Sequence, residues 1–223
     1  MFRTPRLILV SSLLVLLFVF SAQSAAPPVQ MTGAPQIATV AAESTCAKVG
    51  CHAGNPLNSQ GKLEILGLPD RYVPGTDYPL TVRLSASQTA AVPRWGFQIT
   101  NARLSDGIGS GTLAGASLNL NLVNQRTYIS QNVSHLYMGE LGPVEWQITW
   151  TAPNPAEGPV AFYATGCVAN GSFTAAGDFV YTAGETTGSD IVPVDHITWG
   201  RLKSAPFIGR GKPWVVGQSD TPR

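Results

Sequence analysis

The sequence predicts an all-β protein: an immunoglobulin-like antiparallel β-sandwich with an irregular N-terminal leader and a C-terminal arm. Short stretches in which apolar and polar residues alternate recur along the chain, as expected of strands with one buried face. The chain also has 23 Gly and 17 Pro, and only 12% of its residues are charged. With no convincing amphipathic helix in the mature chain, two packed sheets are favoured over a helical bundle.

The first 24 residues are predicted to be a secretory signal peptide. Arg3 and Arg6 precede a nearly continuous apolar run at residues 7–20, and small residues follow at 21–25. This order is typical of a cleaved export signal, and the run is shorter than the roughly 18 residues that a spanning helix needs. We therefore expect an exported protein, periplasmic or extracellular at the cell surface, with no membrane span in the mature chain.

Residues 25–42 are rich in Ala, Pro and Thr, lack periodicity, and are predicted to be a linker. Residues 43–188 are predicted to form the sandwich. Its strands are expected at residues 63–66, 78–84, 95–99, 118–122, 144–150, 160–164 and 179–182. Residues 189–223 are the C-terminal arm, which is expected to pack on the domain because its tryptophans are costly to leave in water.

Tryptophans occupy apolar positions of these predicted strands at Trp95, Trp146 and Trp150. Their alternation with polar neighbours favours core packing over an exposed sugar-binding platform.

Short motifs follow one another in a fixed order along residues 32–182. They are YVPGTDY at 72–78, LTV at 80–82, RWGFQ at 94–98, His135, WTAP at 150–153, GPVAFY at 158–163, NG at 170–171 and GD at 177–178. This ordered set resembles the Reelin-type (reeler) domain, and most closely its bacterial exported branch, often labelled a choice-of-anchor domain. The resemblance implies an immunoglobulin-like β-sandwich and implies little about activity. The chain departs from the pattern in showing no sorting signal after Ser189 and in having Cys167 where a small polar residue is expected.

The segment TCAKVGCH at residues 45–52 carries the chemistry. Cys46 and Cys51 are separated by four residues, and His52 follows directly. Covalent haem attachment uses two thiols to capture the porphyrin vinyl groups, and a His after the second thiol ligates the iron. The usual spacer has two residues, but Gly50 gives this wider loop the freedom to arch.

Exported bacterial reeler-like proteins tend to carry a C…CH motif at this position, so the resemblance implies the same roles for Cys46, Cys51 and His52. We expect a covalent c-type haem and a role in electron transfer, or as a haem-bearing surface protein, with an extracytoplasmic redox or surface protein as partner.

A Cys46–Cys51 disulfide is the alternative, since an oxidising compartment favours one. The protein would then be a non-redox extracellular binding or adhesion module. Cys167 stays single in both cases and is expected to be buried and unreactive, whereas its pairing with Cys46 or Cys51 would exclude the haem. Zinc is disfavoured because the chain has no second cysteine pair.

If a haem is bound here, a second axial ligand could come from His135, from Met138 or from His196. The alternatives are a His135 that is hydrogen-bonded at a strand end and a Met138 that fills core or loop space. An open site, or a ligand from another chain, is equally allowed.

Several other functions are disfavoured by composition and motif content. The formal net charge of +1 offers nothing to attract nucleic acid. The chain has no nucleophile elbow, phosphate loop, metalloprotease helix or paired carboxylates, so we do not expect an enzyme. Asp106, Asn170 and Asp178 lack the dense acidic spacing of a calcium loop.

Overall fold

A computed structural model describes residues 26–87, 92–172 and 174–190. The predicted signal peptide, His196 and nearly all of the predicted C-terminal arm lie outside these ranges. Within them, no helix has the length and apolar character needed to cross a membrane.

The described residues form strands and one short 3-10 helix, Val133–His135. The strands are β1 Ala53–Gly54, β2 Gly61–Leu66, β3 Arg71–Tyr72, β4 Asp77–Ala86, β5 Arg94–Arg103, β6 Thr112–Ala114, β7 Asn119–Val123, β8 Arg126–Ser130, β9 Val144–Thr151, β10 Val160–Ala169 and β11 Ala176–Ser189. Every predicted strand coincides with or overlaps one of these, and the prediction of an all-β sandwich is confirmed. The short strands β1, β3 and β6, and the polar strand β8, were not predicted because they are too short or too polar to show alternation.

The strands pair into two sheets. The smaller sheet has the order β2-β4-β9-β6 and is antiparallel throughout. The larger sheet has the order β1-β11-β10-β5-β8-β7, and β3 also pairs with β11. Its pairs are antiparallel except for β1 and β3, which run parallel to β11.

The hydrophobic core lies between the two sheets and contains the three predicted core tryptophans. Trp95, Trp146 and Trp150 are at most 1% exposed. Trp146 stacks on Phe97 with ring centroids 4.5 Å apart, and Trp150 meets Phe162 edge to face at 5.1 Å. Each indole N–H donates to a backbone carbonyl at 2.9–3.0 Å, so the buried polar atom is satisfied. The prediction of core packing is confirmed.

The larger sheet is also covered on the face that points away from the core. Phe162, Ala164 and Val168 of β10 belong to the core, and strand alternation therefore puts Thr165 and Cys167 on the opposite face. Both of these residues are nonetheless buried. A third layer must cover them.

That third layer is the segment from residue 26 to residue 52. It comprises the predicted linker and the cysteine motif that follows it, and it is called the leader from here on. Met31 N–H donates to Oε1 of Gln98 on β5 at 2.7 Å, and the Gln98 side chain donates to the Pro28 carbonyl at 2.9 Å. Within the leader, Thr32 and Thr45 form an antiparallel bridge. Residues 26–42, predicted to be a linker, are therefore a packed part of the domain, since long-range contacts compensate for their lack of periodicity.

A buried ion pair holds the leader to β8. Oε1 of Glu43 accepts from Arg126 at 2.7 Å and from the Tyr128 hydroxyl at 2.6 Å, and Oε2 accepts from Thr32 at 2.5 Å. Arg126 Nε donates to the Gly107 carbonyl at 2.6 Å. The side chains of Arg126 and Glu43 are only 1% and 3% exposed, so each charge relies on the other and on these hydrogen bonds.

Substituting Arg126→Met is expected to lower the free energy of unfolding by about 3–5 kcal/mol, because Glu43 would remain buried without its partner. Urea denaturation measures this change. The matched control is Lys62→Met, which removes an ion pair to Glu64 from a lysine that is 66% exposed and should cost less than about 1 kcal/mol. Equal effects of the two substitutions would show that the Arg126–Glu43 pair does not hold the leader.

Candidate functional site

The loop between the two leader cysteines is a compact series of turns. Cys51 N–H donates to the Lys48 carbonyl at 2.9 Å, and His52 N–H donates to the Cys46 carbonyl at 3.2 Å. Gly50 has φ = +87°, the left-handed conformation that favours glycine. The loop therefore arches at Gly50 and brings His52 back toward Cys46.

Strand β1 places His52 beside β11. It begins directly after His52, and its Gly54 pairs with Asp178 of β11. Gly54 has φ = +109°, and a Cβ there would lie 2.8 Å from the Gly177 nitrogen, so this close approach requires glycine. The pairing sets the distance between His52 and the side chain of Asp178.

A short hydrogen bond orients the His52 imidazole. Its Nδ1 lies 2.6 Å from Oδ2 of Asp178, whose side chain is 3% exposed, and Oδ1 of Asp178 accepts from the Asn170 N–H at 2.9 Å. A carboxylate only accepts hydrogen bonds, so the tautomer of His52 that satisfies this contact is the one with the proton on Nδ1. Nε2 is then the ring nitrogen with a lone pair for a metal, the arrangement in which carboxylates commonly orient metal-binding histidines.

Cys167 joins this group from β10. It forms a small buried apolar cluster with Cys46 and with Val180 of β11. Burial, and secondarily the neighbouring Cys51, raises the pKa of the Cys46 thiol to about 12. Burial, followed by the proximity of Cys46 and Asp178, raises the pKa of Cys167 well above its usual value. Both groups are thus neutral thiols near pH 7, and all three cysteines are unpaired.

A cleft of about 670 Å³ opens beside these residues, and Cys46, Cys51 and His52 all line it. The remaining lining includes Met31, Trp95, Phe97, Leu136, Met138, Cys167 and Asp178. The three residues that the motif selected therefore share one cleft with a largely apolar wall.

The two nearby candidates for a second iron ligand are placed differently. Met138 lines the cleft and is 56% exposed, whereas His135 is not among the described residues that line it. His135 Nδ1 is 2.8 Å from Oδ1 of Asn132, and its carbonyl accepts from Trp146. His135 is hydrogen-bonded, as in its alternative interpretation, but within the 3-10 helix Val133–His135 rather than at a strand end. Of the two candidates, Met138 is the one that lines the cleft.

Sequence reasoning missed that Cys167 and Asp178 belong to this site. Asp178 was considered only as a calcium ligand, and its oxygens contact His52 and Asn170. The available signal was β10 itself, whose residues are apolar at successive positions as in strands buried on both faces. That signal predicts a cover for the outer face without saying which segment supplies it.

Brief alkylation of the reduced, haem-free protein at about pH 8 should modify Cys51 first, because Cys51 is exposed while Cys46 and Cys167 are buried with raised pKa values and little of the reactive thiolate. Peptide mapping by mass spectrometry identifies the modified thiol. In denaturant all three should react alike, and equally fast labelling of Cys46 and Cys51 in the native protein would contradict the described burial.

Comparison with known proteins gives similarity in fold only. A scan against protein-family models and a search of curated proteins found no match. Among solved structures, the Reelin-N domain of F-spondin matches with 19% identity and a TM-score of 0.39, covering 62% of this chain and 91% of that chain. The human F-spondin reeler domain matches with 21% identity and a TM-score of 0.39 over 59% and 93% of the two chains. BslA, a bacterial hydrophobin, matches with 16% identity and a TM-score of 0.33 over 60% and 98%. The assignment to a β-sandwich rests on the strand pairing described above.

Proposed function

We propose that this protein is exported and carries one covalently attached c-type haem in the cleft beside the leader. The observation that carries the proposal is the convergence of Cys46, Cys51 and His52 on the wall of a single cleft of about 670 Å³. This volume falls within the roughly 300–1,000 Å³ that is typical of pockets for small molecules and cofactors.

The residues present fit the requirements of the cofactor. Cys46 and Cys51 would hold the two vinyl groups, and His52 would ligate the iron through Nε2 while Asp178 keeps the proton on Nδ1. Met31 and Leu136, which line the cleft and are partly exposed, would help to exclude water from the haem. When bound, the haem supplies one-electron chemistry.

The contribution of the chain itself is positional. The leader supplies both thiols and the histidine, and β11 supplies the carboxylate that orients the imidazole. The hydrogen bond from Nδ1 increases the electron density at Nε2 and fixes the plane of the ring. We propose electron exchange with an extracytoplasmic redox or surface protein as the biological role.

Export from a host with a c-type haem maturation system is expected to give one haem per chain, seen in a pyridine haemochrome spectrum and in the intact mass. Cys46→Ser and Cys51→Ser should each remove one of the two thioether bonds and shift the haemochrome band, and the double variant should carry no covalent haem. Cys167→Ser is the matched control and should retain the wild-type spectrum. Absence of covalent haem from the wild-type protein would refute the proposal.

Replacement of Met138 in the haem-loaded protein tests the second axial position. Since methionine–histidine ligation raises the haem potential, Met138→Ala should lower the midpoint potential by on the order of 0.1 V, within the roughly 0.8 V range that axial ligands set. The control His135→Gln should leave the potential unchanged. Spectroelectrochemical titration measures both, and an unchanged potential in Met138→Ala would exclude Met138 as the ligand.

A second candidate function is a non-redox binding module with a Cys46–Cys51 disulfide. The observation in its favour is the exposed apolar side chains on edge strand β7, where Leu120 and Leu122 are 55% and 71% exposed. Apolar edge strands offer both side chains and unpaired backbone groups to a partner. An exported protein with no visible haem band, and with a mass two protons below that of the reduced chain, would favour this candidate.

A further inference from the structure

Beside the cleft, three donor groups of different chemistry lie close together. The thiol of Cys167, a carboxylate oxygen of Asp178 and a ring nitrogen of His52 are all within 4.8 Å of one another. Cys167 and Asp178 are buried, at 6% and 3% exposure, and His52 is partly exposed toward the cleft. These groups come from two strands and the leader, and so the fold itself brings them together.

Cys46 is not one of these three donors, but it packs with Cys167 in the same apolar cluster, and an adjustment of its side chain would supply the fourth ligand. The covalent haem requires neither Cys167 nor Asp178 as a ligand, and it requires Cys51, which is exposed. The position of the Cys167 thiol beside His52 and Asp178 is therefore not explained by the proposed haem attachment.

We propose that the haem-free protein binds one thiophilic divalent metal ion, of the Zn²⁺ class, through Cys46, His52, Cys167 and Asp178. Two sulfurs, one imidazole nitrogen and one carboxylate oxygen are a donor set that tetrahedral zinc accepts. On binding, the ion takes the place of the proton between Nδ1 of His52 and Oδ2 of Asp178, so that both atoms become ligands, while Oδ1 of Asp178 keeps its hydrogen bond from the Asn170 N–H.

Charge and protons balance in this site. The two thiols lose one proton each to solvent on metal binding, and the imidazole stays neutral because its proton moves from Nδ1, which binds the ion, to Nε2. The divalent cation then compensates the two thiolates, which burial would otherwise disfavour. Because all four ligands come from the protein, the ion would act structurally and hold the leader to β10 and β11.

The metal and the haem share Cys46 and His52, and so the two occupants exclude each other. Cys51 serves only the haem, and Cys167 serves only the metal as a ligand. The metal proposal does not rest on the haem proposal, and substitutions at these two cysteines distinguish the failure of one from the failure of the other.

The test is titration of the reduced, haem-free mature protein with Co²⁺, whose thiolate charge-transfer and visible d–d absorption report tetrahedral sulfur ligation. We expect one Co²⁺ per chain, two thiolate ligands, and displacement by Zn²⁺. Cys167→Ser should weaken binding by at least about tenfold, while Cys51→Ser should bind as the wild type does.

Circular dichroism confirms that each variant is folded, and X-ray absorption of the wild-type zinc complex provides a readout that needs no variant. A shell of two sulfurs and two nitrogen or oxygen atoms is the expected result. Absence of cobalt–thiolate bands, a zinc shell without sulfur, or loss of binding in Cys51→Ser with binding retained in Cys167→Ser would each overturn the proposal.

Discussion

The buried pair of Arg126 and Glu43 is the constraint on which the site depends. A buried charge is costly to leave unpaired, and each of these two has its partner together with further hydrogen bonds from Tyr128, Thr32 and the Gly107 carbonyl. Arg126 belongs to β8 and Glu43 to the leader, so satisfying both charges requires the leader to lie on the larger sheet. The position of the cysteine loop, a few residues after Glu43, follows from that docking.

The docked leader buries the outer face of the larger sheet, which would otherwise be exposed to solvent. In the smaller sheet, β9 alternates buried and more exposed residues, as a strand with one covered face does. In the larger sheet, β10 is buried on both faces, and this second interior contains polar groups and thiols. The candidate site lies at the edge of this second interior, where the cover ends and the cleft opens. Within the site, Cys46 and Cys167 are buried, whereas Cys51 is exposed to solvent.

Local patterns in the sequence were sufficient to predict the β-sandwich and to identify the cysteine–histidine motif at residues 46–52. Alternation identified the strands that have one solvent face, and the core roles of Trp146 and Trp150 followed from it. The spacing of Cys46, Cys51 and His52 selected three residues that line one cleft. Each of these inferences uses residues within about ten positions of one another, a range over which strand periodicity and motif spacing are informative.

The remainder of the site depends on contacts between distant parts of the chain. Glu43 and Arg126 are 83 residues apart, and His52 and Asp178 are 126 residues apart. A leader without periodicity gives no sign that its single glutamate matches a buried arginine on a polar strand. The strand pairing of Gly54 with Asp178 is parallel and only two residues long, which leaves no pattern to detect. Cys167 was therefore assigned to the interior correctly, but its neighbours could not be identified from sequence.

The leader is a folded layer rather than a linker, and native-state hydrogen exchange of the full mature chain tests this most directly. The amides of Met31, Gly33 and Glu43 donate to Gln98, Ser44 and Ala34 respectively. If the leader is docked as described, these amides should be protected from exchange with an opening free energy close to that of amides in β10. Exchange of the leader amides at the rate of an unstructured chain, with β10 still protected, would contradict the docking and with it the cleft.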